Sequence, residues 1–323
     1  FILMTKNLYT KVRRFSEEKG IIRKGDSILS ALSGGPDSVF LFHFLIYLSR
    51  KIDISVKVAY IHHHLRKDAD RELRFVRELA KIYSIPFFYR NIKIEGKTGI
   101  EEQARIKRYR ALYSIAKRAG CNKIGVGHTL DDQVETVIMR FIKGTGLAGL
   151  RGILPEKHLF KNKDISVIRP LLCIEKKEIL EVLEKEGKRY RIDRSNFSGD
   201  FFRNRIRSEV LPLLLKYNPQ LKKQVAQMSF LAQDDFAFIE RCAQKALNRV
   251  FDKNTGNIDV KAYRKLDISV KRMVAAMLVE MITDSPYRSY NRIKKVVDYL
   301  SLPRSGISKV TLRSYISKRK CGK

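Results

Sequence analysis

Ser33-Gly34-Gly35-Pro36-Asp37-Ser38 separates two apolar runs of different character. Before it, Ser27-Ile-Leu-Ser-Ala-Leu32 reads as a buried strand; after it, Val39-Phe-Leu-Phe-His-Phe-Leu-Ile-Tyr-Leu48 reads as a core helix. A loop of small residues between a strand and a helix presents outward-facing backbone N–H groups to an anion, and the helix dipole adds partial positive charge. Two glycines let a ligand approach the backbone closely. No Gly-Lys-Ser/Thr follows at Walker spacing, so this is not a Walker-type loop. The competing reading is an ordinary turn with Ser33 or Asp37 as helix cap. Ser, Asp and Ser grouped around the two glycines favour the phosphate.

Outward from this loop, strand and helix alternate. Ile54–Ile61 is a second strand, Asp68–Tyr83 a helix with Leu73, Val76, Leu79 and Ala80 on one face, and Pro86–Lys93 a third strand. Gly99–Ala119 reads as a helix, Lys123–Gly127 as a fourth strand, Asp131–Lys143 as a helix and Ile165–Ile168 as a final strand before a charged helix at 175–187. A basic amphipathic helix at 8–24 leads in. This pattern predicts an α/β fold, a Rossmann-like parallel sheet covered by helices on both faces. Ligands of such sheets sit at the carboxyl ends of the strands, so loops 33–38, 61–66 and 127–132 are expected to face one crevice. From about 220 the pattern changes to long helices. Met228, Leu231, Ala232, Phe236, Ile239, Ala243, Ala246 and Val250 step by three or four, as a core stripe does. The expected domains are 1–215 and a smaller, helical, basic domain at 216–323.

The chain has 323 residues, 44% of them hydrophobic, enough for an ordinary core. No run approaches the ~18 apolar residues of a membrane span, and the N-terminus lacks a secretory pattern. Phe at position 1 leaves the native start open. Cys121, Cys173, Cys242 and Cys321 are widely spaced with no Cys-x-x-Cys, which argues against a zinc knuckle or redox pair and suits a reducing cytoplasm. Lys and Arg number 66 against 34 acids, a net charge of +32. A lysine-rich proteome accounts for part of that excess; nucleic acid is the leading polyanionic partner for the rest. After Pro286 the tail has eleven Lys or Arg residues and one acid, Asp298.

Several groups carry candidate chemistry. In His128-Thr-Leu-Asp-Asp-Gln-Val-Glu135, Asp132 and Glu135 share a helix face and His128 precedes the helix on the crevice side. Thr129 and Asp132 also fit a capping box, which explains one carboxylate but not the histidine and the second acid. Arg105 and Arg108 share a face and suit phosphate; the local alternative for Arg105 is pairing with Glu101. His62-His-His-Leu-Arg66 follows the second strand, where alternating directions disfavour a three-histidine metal site and leave a nucleotide-lining or packing role. Lys143-Gly-Thr-Gly-Leu-Ala-Gly-Leu-Arg-Gly152 reads as a mobile loop or an anion nest, with Gly144 as helix stop. Asp193-Arg-Ser-Asn196 and Phe202-Arg-Asn-Arg-Ile-Arg207 place Arg203 and Arg207 four apart, a phosphate contact or a solvated helix start.

Taken in order, these stretches resemble the tRNA(Ile)-lysidine synthase family of PP-loop ATP pyrophosphatases, over about residues 27–220. The resemblance rests on the Ser33–Ser38 loop, His-His-Leu-Arg, Glu-x-x-Ala-Arg-x-x-Arg-Tyr, His-x-x-Asp-Asp-Gln-x-Glu-Thr, Gly-Thr-Gly-x-x-Gly-Leu, Arg-Pro-Leu-Leu and Asp-x-Ser-Asn with Arg-Asn-x-Ile-Arg. Two departures stand out. Tyr190 occupies a position usually Trp, and the extra C-terminal domain of longer members is not evident, as in a short form.

The resemblance implies an ATP-dependent carbon–nitrogen ligase that joins L-lysine to the wobble cytidine of the CAU anticodon of tRNA(Ile) through an adenylated cytidine, in the cytoplasm. Ser33, Gly34, Gly35, Pro36, Asp37, Ser38, His62 and Arg105 would bind ATP, with Asp37 near Mg²⁺. Asp37, Arg108, His128 and Asp132 would be catalytic, and Asp132 and Glu135 would hold the lysine. Arg203, Arg205 and Arg207 would contact tRNA, and a homodimer is one possible assembly. The ε-amine, with a free pKa of ~10.4, must lose a proton before attack; Asp132 and His128 are the alternative acceptors. Another adenylating enzyme such as a 2-thiolase, and a non-catalytic basic RNA-binding protein, are the competing readings.

Overall fold

Strand β1 (Ser27–Ala31) is the third strand of a six-stranded sheet of order β3-β2-β1-β4-β6-β5. Its neighbours β2 (Ser55–His62) and β4 (Lys123–Gly125) both run parallel to it. β3 (Phe87–Asn91) lies parallel beyond β2, and β6 (Ser166–Ile168) parallel beyond β4. The computed structural model describes residues 2–62, 69–93, 100–160, 164–191, 201–283, 290–302 and 309–311.

The expected parallel sheet carries one further strand that the sequence did not indicate: β5 (Glu156–His158) pairs antiparallel with β6 at the edge. Its residues, Glu156, Lys157 and His158, have no apolar alternation by which a strand could be read.

The helices bury both faces. Helix α2 (Pro36–Ser49) is apolar all round and accordingly buried along most of its length. With α1 (Ile2–Glu18) it packs Val12, Phe40, Phe44 and Leu45 into one core. α3 (Ala69–Ile82) adds Val76 and α7 (Lys176–Lys185) adds Val182 to the same core. On the other face α4 (Ile100–Arg118) sets Leu112, Ile115 and Ala116 against Leu29, Ile124 and Val167. A third cluster joins α5 (Leu130–Ile142) through Val134 and Ile138 to Ile206 and Leu211.

The chain divides into two compact units, residues 1–230 and 231–323. The division falls within the 30-residue helix α10 (Leu221–Val250), later than the 215/216 boundary drawn from the sequence. The short α6 (Leu147–Leu150) lies between α5 and β5, and between α7 and α10 come α8 (Phe201–Arg205), a π-helical turn at Ile206–Val210 and α9 (Leu211–Tyr217). The second unit holds α11 (Val260–Arg264), α12 (Ile268–Thr283) and α13 (Tyr290–Ser301) with a two-stranded ladder of β7 (Asn257–Asp259) and β8 (Lys309–Thr311). Phe236, Ala243, Ala246 and Val250 enter its core with Tyr263, Val274 and Leu278, as the stripe predicted.

Met228 and Leu231 do not: they are 41% and 66% exposed. At that end of α10 the buried face belongs to Ala226 and Ser229, small and polar residues that an apolar stripe overlooks. Ser229 accepts a hydrogen bond from the buried Gln133 amide at 2.6 Å. Among the described residues no helix is long and apolar enough to cross a membrane.

Candidate active site

The Ser33–Ser38 loop leaves the carboxyl end of β1 and turns directly into α2. Gly34 sits at φ +88°, a conformation open to glycine, and Pro36 starts the helix without an N–H to leave unsatisfied. The loop is braced from inside. Ser38 Oγ donates to Gly35 O at 2.8 Å and accepts from Ser33 N at 3.2 Å. The first N–H groups of α2 are thus set around a fixed turn, the arrangement that binds an anion.

The sheet order reverses between β1 and β4, and the crevice at that point is where a doubly wound sheet binds its ligand. Gly127, just beyond β4, closes the gap. A Cβ there would stand 2.9 Å from Asp37 C, 3.0 Å from Asp37 O and 3.1 Å from Ser38 N. Only a residue without a side chain permits this contact, and it brings His128 and the start of α5 to the phosphate loop.

Asp37 is the carboxylate at the junction. Burial pushes its pKa up to about 6, against the lowering influence of Lys176, with Asp132 and Asp131 adding to the rise. Its Oδ2 lies 3.7 Å from Lys176 Nζ; its Oδ1 is buried with no hydrogen-bond partner among the described residues. Lys176 is held in turn. Its backbone N–H donates to Asp131 Oδ2 at 2.7 Å, and Lys222 Nζ clamps Asp131 Oδ1 (2.7 Å) and Glu175 Oε2 (2.8 Å). The sequence reading missed Lys176, Asp131 and Lys222, because these pairs join segments distant in the chain and leave no local pattern.

On α5, Asp132 does cap the helix: Oδ2 accepts from Thr129 N at 2.8 Å. Its Oδ1 accepts from Arg203 Nη2 at 2.7 Å, and Arg203 Nε donates to Glu135 Oε2, also at 2.7 Å. Arg207 donates to both Glu135 oxygens, at 2.6 and 3.0 Å. Glu135 is therefore buried and doubly paired, and Arg203 and Arg207 stand on the acids rather than splayed into solvent. The π-helical turn after α8 holds Arg207 in this register, a local rewinding common at functional sites. Arg205 points elsewhere and pairs with Glu209 at 3.2 Å.

His128 has a buried Nδ1 with no hydrogen-bond partner among the described residues. Burial, then the fields of Arg169, Arg108, Arg203 and Arg105, push its pKa down to about 3, so the ring is neutral at pH 7. Arg105 pairs with Glu102 at 2.9 Å. Arg108 lies over the Tyr109 ring, 5.5 Å from its centroid. Arg169, buried and raising the positive field on His128, is another residue sequence reasoning did not single out.

His62 is buried at the end of β2, with Nε2 3.3 Å from Asp70 Oδ1. Residues 63–66, the Asp193–Asn196 stretch and most of the basic tail lie outside the described residues. The glycine-rich segment after α5 is tied to that helix at its two ends. Gly144 N–H closes the helix on Phe141 O, and Arg140 Nη1 donates to Gly149 O (3.2 Å) and Gly152 O (2.7 Å). Among the described residues no group of three His, Cys, Asp or Glu side chains could hold a metal ion by itself.

An anion cradle at the switch point of a doubly wound sheet defines an α/β nucleotide-binding protein. A family model described as a PP-loop domain matches residues 4–214. The tRNA(Ile)-lysidine synthase of Clostridioides difficile (strain 630) is 32% identical over 319 residues, covering 92% of this chain and 68% of the relative. The bifunctional protein TilS/HprT of Listeria monocytogenes serotype 4b is 35% identical over 76% of this chain, but the chain spans only 38% of that relative's length. Among solved structures, the U34-tRNA thiolase NcsA from Methanococcus maripaludis superposes with a TM-score of 0.60 over 72% of this chain and 80% of its own, at 20% identity, a likeness of fold. The chain belongs to the tRNA(Ile)-lysidine synthase family of PP-loop proteins.

Proposed function

We propose that this chain ligates L-lysine to the wobble cytidine of the CAU anticodon of tRNA(Ile), consuming ATP. The observation that carries the reading is the packing of Gly127 on Asp37, which joins the phosphate loop to His128 and the α5 carboxylates in one crevice. The named relatives supply the substrate class.

In the first step the cytosine O2 attacks the α-phosphorus of ATP; the new O–P bond forms as the bond to the β-phosphate breaks, and pyrophosphate leaves with the electron pair. The N–H groups of residues 33–38 hold the phosphates, and Arg108 and Arg105 offset the charge that develops on them. Asp37 suits Mg²⁺: its Oδ1 is unpartnered, and one carboxylate plus substrate phosphates is a donor set this ion accepts. Bound there, the ion would neutralise the departing pyrophosphate.

In the second step the ε-amine of lysine attacks C2, the C2–O bond breaks, and AMP leaves carrying that oxygen. The lysine ammonium takes the place of the Arg203 guanidinium at Asp132 Oδ1 and lies beside Glu135. Asp132 or His128 then accepts the proton that must leave. The helical second unit and the basic excess of the chain serve the body of the tRNA. Cys121, Cys173 and Cys242 are free thiols, in keeping with work in the cytoplasm.

The test is incorporation of radiolabelled lysine into tRNA bearing a CAU anticodon, with ATP. Lysine- and ATP-dependent labelling is expected. Absence of label across a salt series, or transfer of sulfur instead of lysine, overturns the reading.

A further inference from the structure

Beside the phosphate loop, and not used by the reaction above, lies a cavity of about 670 Å³ lined by Arg71, Arg74, Phe75, Glu78, Lys188, Arg189, Tyr190 and Arg191. Five of these carry positive charge and one negative. Arg71, Arg74, Phe75 and Glu78 recur at helical spacing and form one face of α3. The other wall is the extended segment that follows α7.

The cavity is attached to the cradle. Arg191 N–H donates to Gly34 O at 2.8 Å. A Cβ on Gly34 would meet Phe75 Cδ1 at 3.5 Å and Arg191 Cγ at 3.8 Å, so both side chains rest on that glycine. The Arg191 guanidinium lies 5.9 Å from the Phe75 ring centroid, a cation–π pair. Tyr190 Oη is 3.3 Å from Glu184 Oε1.

We infer that this cavity is a binding site for single-stranded RNA, seating a nucleotide next to the one that the phosphate loop adenylates. The inference rests on the tRNA reading above and extends it to a surface. Clustered cations with two aromatic rings among them make a surface that neutralises a phosphodiester and stacks a base. The volume falls in the range of small-ligand sites and fits one nucleotide. Departing pyrophosphate is the other phosphate source nearby. It gains nothing from Phe75 and Tyr190 and fills far less of the space. A chain whose reacting base enters the crevice must pass its neighbours over the rim, and at Gly34 the rim and the cavity wall coincide.

The experiment compares full-length wild type with Arg71→Gln/Arg189→Gln and with Tyr190→Ala. It measures binding of a CAU anticodon stem-loop and of a short single-stranded oligonucleotide across a salt series, with affinity for a fluorescent ATP analogue as control. Removing two phosphate contacts should flatten the slope of log K against log salt by ~1.4. Losing one stacking surface should weaken binding ~5- to 150-fold. ATP affinity should stay unchanged in both. Oligonucleotide binding equal in wild type and variants overturns the inference and leaves the lysine reaction standing. Binding that depends on these residues, with no lysine transfer by wild type, supports the cavity and removes the reaction. Variants that change only inhibition by added pyrophosphate overturn the inference and assign the cavity to that product.

Discussion

Arg203 spans two carboxylates: its Nη2 donates to Asp132 Oδ1 and its Nε to Glu135 Oε2, each at 2.7 Å. From sequence, the acids suggested a lysine site and the arginine an RNA contact. Their pairing makes the two roles interdependent, because a cation entering the acids must exchange with one already there.

Glu135→Gln should therefore do more than raise the lysine KM. The Glu135 side chain is 2% exposed and accepts from both Arg203 and Arg207. Losing its charge leaves two guanidiniums without their buried partner, though they are 33% and 49% exposed and water screens part of the loss. Stability should fall by ~1–3 kcal/mol, read as a lower urea midpoint at constant m-value. An unchanged midpoint would show that the pairing adds nothing to the fold.

Gly127→Ala tests the joint between cradle and α5. The added methyl would meet the Asp37 and Ser38 backbone at 2.9–3.1 Å, and backbone yields less readily than a side-chain tip. The two loops must part by several tenths of an ångström. Pyrophosphate release should fall by up to ~10²-fold, the cost of a misplacement of about 1 Å. Thermal unfolding should move only modestly, the ~1–3 kcal/mol of a strained insertion. Full activity would mean that the contact does not align the reacting groups.

Much of this arrangement was legible in the chain. Apolar runs of contrasting length on either side of Ser33–Ser38 are enough for strand, loop and buried helix, and alternation of strands and helices gives the parallel core. The unread parts share a physical cause. Edge strand β5 owes its place to hydrogen bonds with β6, not to its own residues. Arg203 and Arg207 find Glu135 68 and 72 residues away, and Lys222 finds Asp131 at 91; no local periodicity records such pairs. Their chemistry was visible and their partners were not.

His43 gives the first unit an acid sensitivity. Buried in α2 between Phe42 and Tyr83, it has its pKa pushed down to about 3 by burial and by Lys188. Unfolded, it would titrate near 6.5. Between those values the unfolded chain binds more protons, so stability present above pH ~6.5 is lost as pH falls toward 3, at up to ~1.4 kcal/mol per pH unit. His43→Phe should flatten the decline of Tm between pH 6.5 and 4. An equally steep decline in the variant would place the sensitivity elsewhere.

Lys176→Met separates charge from scaffold at the cradle. In the wild type the ammonium faces Asp37 at 3.7 Å, while the backbone N–H of the same residue holds Asp131. The substitution keeps the backbone bond and removes only the cation. ATP phosphates entering the cradle would lose a positive neighbour, so the KM for ATP should rise ~10- to 100-fold, the ~1.5–3 kcal/mol of a hydrogen bond to a charged group. The lysine KM should hold. Lys222→Met acts on the other half, releasing both Asp131 and Glu175, whose carboxylates fix the start of α7. It should lower the urea midpoint and disturb ATP and lysine use together. Steady-state kinetics with each substrate varied distinguish the two, and a matching profile for both variants would deny Lys176 any part in the phosphate site beyond holding the fold.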